Sequence, residues 1–401
     1  MGPAFRADQV GSMIRPASLA DMFSSRTMLD PNHSTEELDI INAAVRSIAN
    51  KQLELSIRPI TTGEYDRKLF FDGFYENLEG MKVEPSLRLP EDFRRGLPSL
   101  EAMAKVGAKT FGCVVAVSKI SHERSAFLPT WNMLKQSLAR DKWAECKMTM
   151  ASITWPHVSL AHGAYKPEAY TSDREYFTDL AACYRAELKA LYDAGLRHVQ
   201  IDDPLMTYFV LDDFREQLLR DGTDPDELLD LYIWAHNEVL RDIPADLTVG
   251  IHLCRGNMPK NMAAHVDFNA SGSYERIAEL LFTKLRYKKF YLEFDDERSG
   301  GFEPLRWVPR HTQIVLGLVS TKTPQLEDIE VLEKRVKEAA AVIAAAQNRS
   351  VEAVLADTLA VSPQCGFATS DRSRGVETEE RMWEKLTLVR DLARRIWPSE
   401  E

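Results

Sequence analysis

Short runs of β-branched and aromatic residues recur along the chain. Each closes in a polar turn and is followed by a longer stretch whose apolar residues return every three to four positions. That alternation predicts repeated βα units. The strand-like runs are 7–11, 58–64, 147–155, 197–202, 247–254, 289–293, 313–319 and 357–362. Eight parallel strands close a barrel, so the expected fold is α/β, a (β/α)8 TIM barrel, with residues 1–401 forming a single domain.

The clearest intervening helices are expected over 31–55, 172–194, 224–242, 272–283, 325–346 and 377–396. Asp224 is placed to cap the third of these, because its carboxylate can accept from the unpaired amides of the first turn. In the fifth, Leu332, Val336, Ala339, Ile343 and Ala346 form one apolar stripe. The stretch 66–146 is too long for one βα unit and carries Pro85, Pro90, Pro98 and Pro129 among several aromatic residues. It is read as an insertion after the second strand, with a hairpin around 109–119, on the face where barrel insertions supply lids.

Composition narrows the partners. With 44% hydrophobic residues in 401, the chain can bury a large core, and no low-complexity tract or solenoid-length repeat is visible. The net charge of −11, from 50 Lys+Arg against 61 Asp+Glu, argues against a nucleic-acid or anionic-membrane surface and favours a small neutral or zwitterionic substrate. No apolar run reaches the roughly 18–20 residues that span a bilayer, and the start Met1-Gly2-Pro3-Ala4-Phe5-Arg6 has no secretory apolar stretch, so a cytoplasmic protein is expected. Five scattered cysteines disfavour a disulfide framework. Cys113, Cys146 and Cys183 are expected to be buried packing.

The polar motifs fall where a barrel carries its chemistry. Gly11-Ser12, Gly63-Glu64, Thr154-Trp155, Asp202-Asp203, His252 and Cys254, Glu293, Ser320 to Lys322, and Cys365 all lie at or just after the C-terminal end of an expected strand. His252 and Cys254 are two apart and share one face of an extended chain. With Glu293 and Cys365 they would make a zinc site of two sulfurs, one nitrogen and one carboxylate. Such a site can hold a thiol substrate as thiolate at neutral pH.

Each piece also has a plain structural reading. His252 and Cys254 alone read as a buried cysteine beside a hydrogen-bonded histidine, and Glu293 as the partner of Arg255 or Arg298. Cys365, between Pro363 and Gly366, reads as a tolerated loop thiol. Asp202 could hold an ammonium group or act as a base, or be solvated while Asp203 caps the next helix; Glu64 could pair with Arg67. Trp155 could stack on a flat ligand or pack in the core, and Lys322 could donate a proton, contact an anion or be solvated.

Taken together, from Val10-Gly11-Ser12 to Cys365, these segments resemble the catalytic barrel of the cobalamin-independent methionine synthase family, in a shorter, single-barrel branch. The resemblance implies a zinc-dependent methyltransferase acting on homocysteine or an analogue. In it His252, Cys254, Glu293 and Cys365 bind Zn2+, Gly11-Ser12 lie near the substrate carboxylate, and Glu64 and Asp202 near its ammonium group. Lys322 stands where the family carries a proton-donating histidine, and the resemblance matches Trp155 to a folate-contacting tryptophan. The implied partners are a small thiol and a methyl donor, whether folate, methylcobalamin or another carrier; an oligomer is compatible with this. The alternatives are zinc-dependent alkyl transfer to another thiol, carbon-sulfur bond cleavage, and a non-catalytic zinc barrel that binds a metabolite.

Overall fold

The structure is a computed structural model that describes residues 2–30, 32–257, 270–368 and 375–398. Pro31, where the first long helix was expected to begin, lies outside them. Two antiparallel strands come first in the chain, β1 (Glu79–Arg88) and β2 (Thr110–Ser121). Six parallel strands follow in sequential order: β3 (Met148–Ala151), β4 (His198–Asp202), β5 (Thr248–Leu253), β6 (Lys289–Glu293), β7 (Gln313–Val319) and β8 (Leu359–Pro363). β3, β6 and β8 are buried along their whole length, as expected of parallel strands sheathed by helices.

The two remaining barrel positions are filled by segments joined through single bridges. Ala7 pairs with Val361 of β8, and Ile60 pairs with Cys146 just before β3, both in parallel. The expected strands 7–11 and 58–64 therefore do not grow into ladders. Pro59 has no N–H to contribute, and Gly11, Gly63 and Glu64 all take positive φ, which turns the chain out of the extended conformation. Other bonds hold the two segments together: Gln9 Nε2 donates to Pro59 O at 2.6 Å, Thr61 Oγ1 to Gly11 O at 3.2 Å, and Met13 N to Gly63 O at 3.0 Å.

Local signals explain the helix starts. Asp224 accepts from the amides of Asp226 and Glu227, capping the helix Pro225–Val239. Ser34 and Glu37 form a reciprocal capping box ahead of the helix Thr35–Glu54. Asp328, rather than Gln325, starts the helix Ile329–Gln347, whose buried stripe includes Leu332, Val336, Ala339 and Ile343. Two strand limits also move: Trp155 begins a short helix, Trp155–Leu160, and Asp357 ends one, Val351–Asp357. No described helix is long and apolar enough to cross a membrane.

Within 66–146, β2 is one arm of a wide hairpin rather than a hairpin in itself. Its partner is β1, with Val83 opposite Val114, and the helix Pro98–Lys105 lies between the arms. The expectation at 109–119 was too local, because the chain turns back only after a helical detour. Ala116 bridges to Tyr165, fastening this hairpin to the segment that follows β3.

The opposite end of the barrel interior is closed by charge. Asp8 is fully buried and contacts Lys147 Nζ at 2.8 Å, Lys289 Nζ at 3.1 Å and Tyr291 Oη at 2.9 Å. Burial alone would raise the Asp8 carboxyl, but the two ammonium groups outweigh it and hold it down at about 2.

Candidate active site

β5 delivers His252, and the next same-face position, Cys254, lies one residue beyond the strand. Parallel pairing puts Asp202 beside His252, and Glu293 ends β6. Cys365 lies two residues past β8. Ligand atoms of His252, Cys254, Glu293 and Cys365 all fall within 4.8 Å of one another. The two sulfurs are 3.6 Å apart, and His252 Nε2 is 3.7 Å from Glu293 Oε1.

Glu293 tests whether this group is a metal site. It is buried, and neither carboxylate oxygen has a hydrogen-bond partner among the described residues. A bare buried carboxylate is costly unless a cation faces it. The expected ion pairs are not formed: Arg255 donates to Ala270 O and lies over the Tyr274 ring, and Arg298 pairs with Asp296 at 2.9 Å. Two thiols, one imidazole nitrogen and one carboxylate are a zinc donor set, and the structure gives them convergence and an unmet negative charge. Without a cation, the Cys365 contact and burial push the Cys254 thiol well above its ordinary range. Burial alone would depress His252, but Asp202 and Glu293 beside it raise it well above the usual histidine value.

A cavity of about 180 Å³ opens against the tetrad. Ser12, Glu64, Trp155, Asp202, His252, Cys254 and Cys365 all line it. Asp202 Oδ1 accepts from Gln200 Nε2 at 2.6 Å and lies 3.0 Å from His252 Nδ1, so one carboxylate both faces the cavity and orients a tetrad histidine. Glu64 Oε1 meets Thr149 Oγ1 at 2.7 Å and the Arg67 guanidinium at 2.9 Å, while its buried Oε2 has no hydrogen-bond partner among the described residues. Burial raises the Glu64 carboxyl, the Asp202 charge adds to the rise, and Arg67 opposes it.

Two glycines permit this close packing. A Cβ on Gly11, at φ +133°, would lie 2.6 Å from Thr149 Cγ2. One on Gly366 would collide with Ser12 Oγ. Gly11 therefore lets the first segment lie against β3, and Gly366 lets the loop after β8 lie against the Ser12 side chain.

Trp155 stacks on the buried Phe71 with ring centroids 4.3 Å apart and meets Phe70 edge-on at 5.3 Å, so Phe71 backs Trp155 while Phe70 lines the cavity beside it. Lys322 is not among the residues lining this cavity. It lies between Asp295 at 2.8 Å and Asp296 at 3.2 Å. Asp203 accepts from the amides of Leu205 and Met206 and contacts His236 at 3.0 Å, so it clamps the turn after β4, whereas Asp202 is buried rather than solvated. Thr149, Gln200 and Gln364 escaped the sequence reading. Gln364 O lies 3.2 Å from His252 Nε2. For Gln200 a signal existed: it alternates with Asp202 on one strand and so shares its face.

Comparison with known proteins agrees with this geometry. Residues 131–393 match the family model described as the cobalamin-independent synthase, catalytic domain. The uncharacterized protein YxjG of Bacillus subtilis (strain 168) is 34% identical over 98% of this chain and 95% of its own. A methionine synthase of Pyrococcus horikoshii is 23% identical over 71% of this chain and 68% of its own. Among solved structures, a putative vitamin-B12-independent methionine synthase from Listeria monocytogenes superposes with a TM-score of 0.70 at 29% identity, covering 99% of both chains. With the model spanning more than half of its length, this chain belongs to the cobalamin-independent methionine synthase family, through that family's catalytic domain.

Proposed function

We propose that this chain is a zinc-dependent methyltransferase that methylates the sulfur of homocysteine or a close analogue. The observation that carries the reading is the buried Glu293 carboxylate, without a hydrogen-bond partner among the described residues, facing two thiols and an imidazole at the wall of a cavity that also presents Glu64 and Asp202. His252, Cys254, Glu293 and Cys365 would hold the ion, which when bound stabilises a substrate sulfur as thiolate.

The remaining chemistry belongs to the chain. Glu64 Oε2 and Asp202 are assigned to the substrate ammonium group, and Ser12, beside Gly11, to its carboxylate. Asp202 is further assigned to accept the proton released as the thiol ionises. The sulfur lone pair then attacks the methyl carbon; the new S–C bond forms as the donor's bond to that carbon breaks, and the donor keeps the electron pair. Trp155, with Phe70, offers the donor an aromatic face.

Lys322 fits an electrostatic part better than proton delivery. Burial would weaken its charge, but Asp295 and Glu293 together outweigh burial and raise its pKa, so the ammonium stays protonated.

Asp202→Asn is expected to lower zinc affinity by about 10–100-fold, as loss of a carboxylate behind a ligating histidine does, and to raise KM for the amino-acid thiol. Equilibrium zinc competition with a chelator and steady-state kinetics read the two effects. Trp155→Ala is expected to raise KM for the methyl donor roughly five- to tenfold while leaving KM for the thiol unchanged. The function itself is tested by metal analysis of the purified protein and by mass spectrometry of homocysteine incubated with methylfolate or methylcobalamin. One zinc per chain and S-methylated product are expected. Metal and activity both surviving in Cys254→Ser and Cys365→Ser would sink the proposal.

A further inference from the structure

A second group of metal-ligating side chains lies away from the tetrad. His157 belongs to the helix Trp155–Leu160, His162 to the turn after it, and Asp173 is the first residue of the helix Asp173–Asp193. One ligand atom from each falls within 4.8 Å of the others. His157 Nε2 is 3.0 Å and His162 Nδ1 is 3.6 Å from the same atom, Asp173 Oδ1. Two ligands bound tetrahedrally at about 2.0–2.1 Å are separated by roughly 3.3 Å, so little movement is needed to close around an ion.

Two features set this group apart from an ordinary ion pair. His157 is 1% exposed, yet among the described residues its Nε2 has no hydrogen-bond partner; the Asp173 oxygen is near but poorly aligned. Its other nitrogen, Nδ1, is 3.0 Å from Tyr232 Oη. When Nδ1 donates to that oxygen, Nε2 keeps a lone pair free for an ion, the tautomer that hydrogen-bond partners behind the ring impose on ligating histidines. Tyr165 Oη donates to Asp173 Oδ1 at 2.6 Å and fixes the carboxylate in turn. The open side of the group faces a cavity of about 700 Å³, bounded in part by Arg94, Asp224 and Glu227, which leaves room for water or a small anion to complete the coordination.

We propose that His157, His162 and Asp173 form a second site, reachable from the surface, for a divalent transition cation of the zinc, cobalt or nickel class. A cation there ties the helix Trp155–Leu160 to the helix Asp173–Asp193. Because Trp155, the first residue of the tied helix, lines the reaction cavity, occupancy of this surface site stiffens one wall of that cavity.

The test is titration of the metal-depleted, full-length protein with Co2+, read by absorption, together with amide hydrogen exchange. Cobalt at the tetrad gives a thiolate charge-transfer band; cobalt bound by imidazole and carboxylate gives none. Wild type is expected to take up two equivalents, and His162→Ala only one, that one with the charge-transfer band. The His162 side chain is 82% exposed, so its removal leaves the fold intact. Cys254→Ser/Cys365→Ser is expected to retain one equivalent without the band. Amides 156–165 should exchange more slowly with the second equivalent in wild type and not in His162→Ala. Equal uptake by wild type and His162→Ala, or no binding without the band in the double cysteine variant, would overturn the second site. Loss of the band from wild type would count against the tetrad alone.

Discussion

Glu293→Gln is expected to abolish stoichiometric zinc and reduce homocysteine methylation by more than ~10²-fold, while leaving the metal-free protein at least as stable as wild type. The loss should exceed the upper end of what removal of a partner behind a ligand costs, because Glu293 is placed as a ligand itself. The stability outcome separates two roles. Were Glu293 half of a structural ion pair, its neutralisation would strand a buried cation and cost about 3–5 kcal/mol. Among the described residues neither of its oxygens has a hydrogen-bond partner, Arg255 and Arg298 are engaged elsewhere, and the contact with His252 is long at 3.7 Å. Removing the charge thus relieves a buried carboxylate that, among the described residues, no hydrogen bond compensates in the metal-free protein. Thermal melts with and without chelator, alongside metal analysis, measure both halves. A marked fall in metal-free stability would show that the carboxylate is structural.

At the other end of the barrel the expected effect has the opposite character. Asp8→Asn should lower stability by about 3–5 kcal/mol with no direct effect on the tetrad, since it leaves the Lys147 and Lys289 ammonium groups buried without their shared counter-charge. The pH dependence follows from the same contacts. The Asp8 carboxyl is held at about 2 in the folded protein against 3.8 for the free side chain. Its folded-state pKa is depressed, so its stabilisation is fully present above pH 3.8 and is lost as pH falls through about 2. The shift corresponds to about 2 kcal/mol. Denaturant unfolding across this acid range should show a steeper loss in wild type than in Asp8→Asn. Parallel curves would remove the carboxylate from the account.

What the sequence disclosed depended on how local the determining physics was. The parallel strands β3 to β8 were legible because each is a short apolar run bounded by turn residues, and Asp224 announced its helix because a cap acts within three residues. The segments 7–11 and 58–64 look like strands in composition, but pairing depends on amides that Pro59 lacks and on an extended backbone that Gly11, Gly63 and Glu64 leave. The hairpin at β2 misled because its partner is separated by a helix. In the site, His252, Cys254, Glu293 and Cys365 could be singled out as metal-ligand residue types at strand ends, and their convergence is visible in the structure. The partners that orient them were hidden for a different reason. Thr149, Gln200 and the Gln364 carbonyl carry no distinctive chemistry in isolation and gain it only from what lies across the barrel. The aromatic wall was half legible: Trp155 stood out, but Phe70, which lines the cavity, and Phe71, which backs Trp155, reach it from the inserted region.

The central claim is that the tetrad holds zinc and leaves a position for the substrate sulfur. Zinc X-ray absorption on the loaded protein, before and after addition of selenohomocysteine, tests it most directly. A spectrum with two sulfur neighbours from Cys254 and Cys365 that gains a selenium neighbour on addition is the predicted result. A spectrum unchanged by selenohomocysteine would mean a closed structural site, and the account of this chain as a thiol-activating methyltransferase would be contradicted.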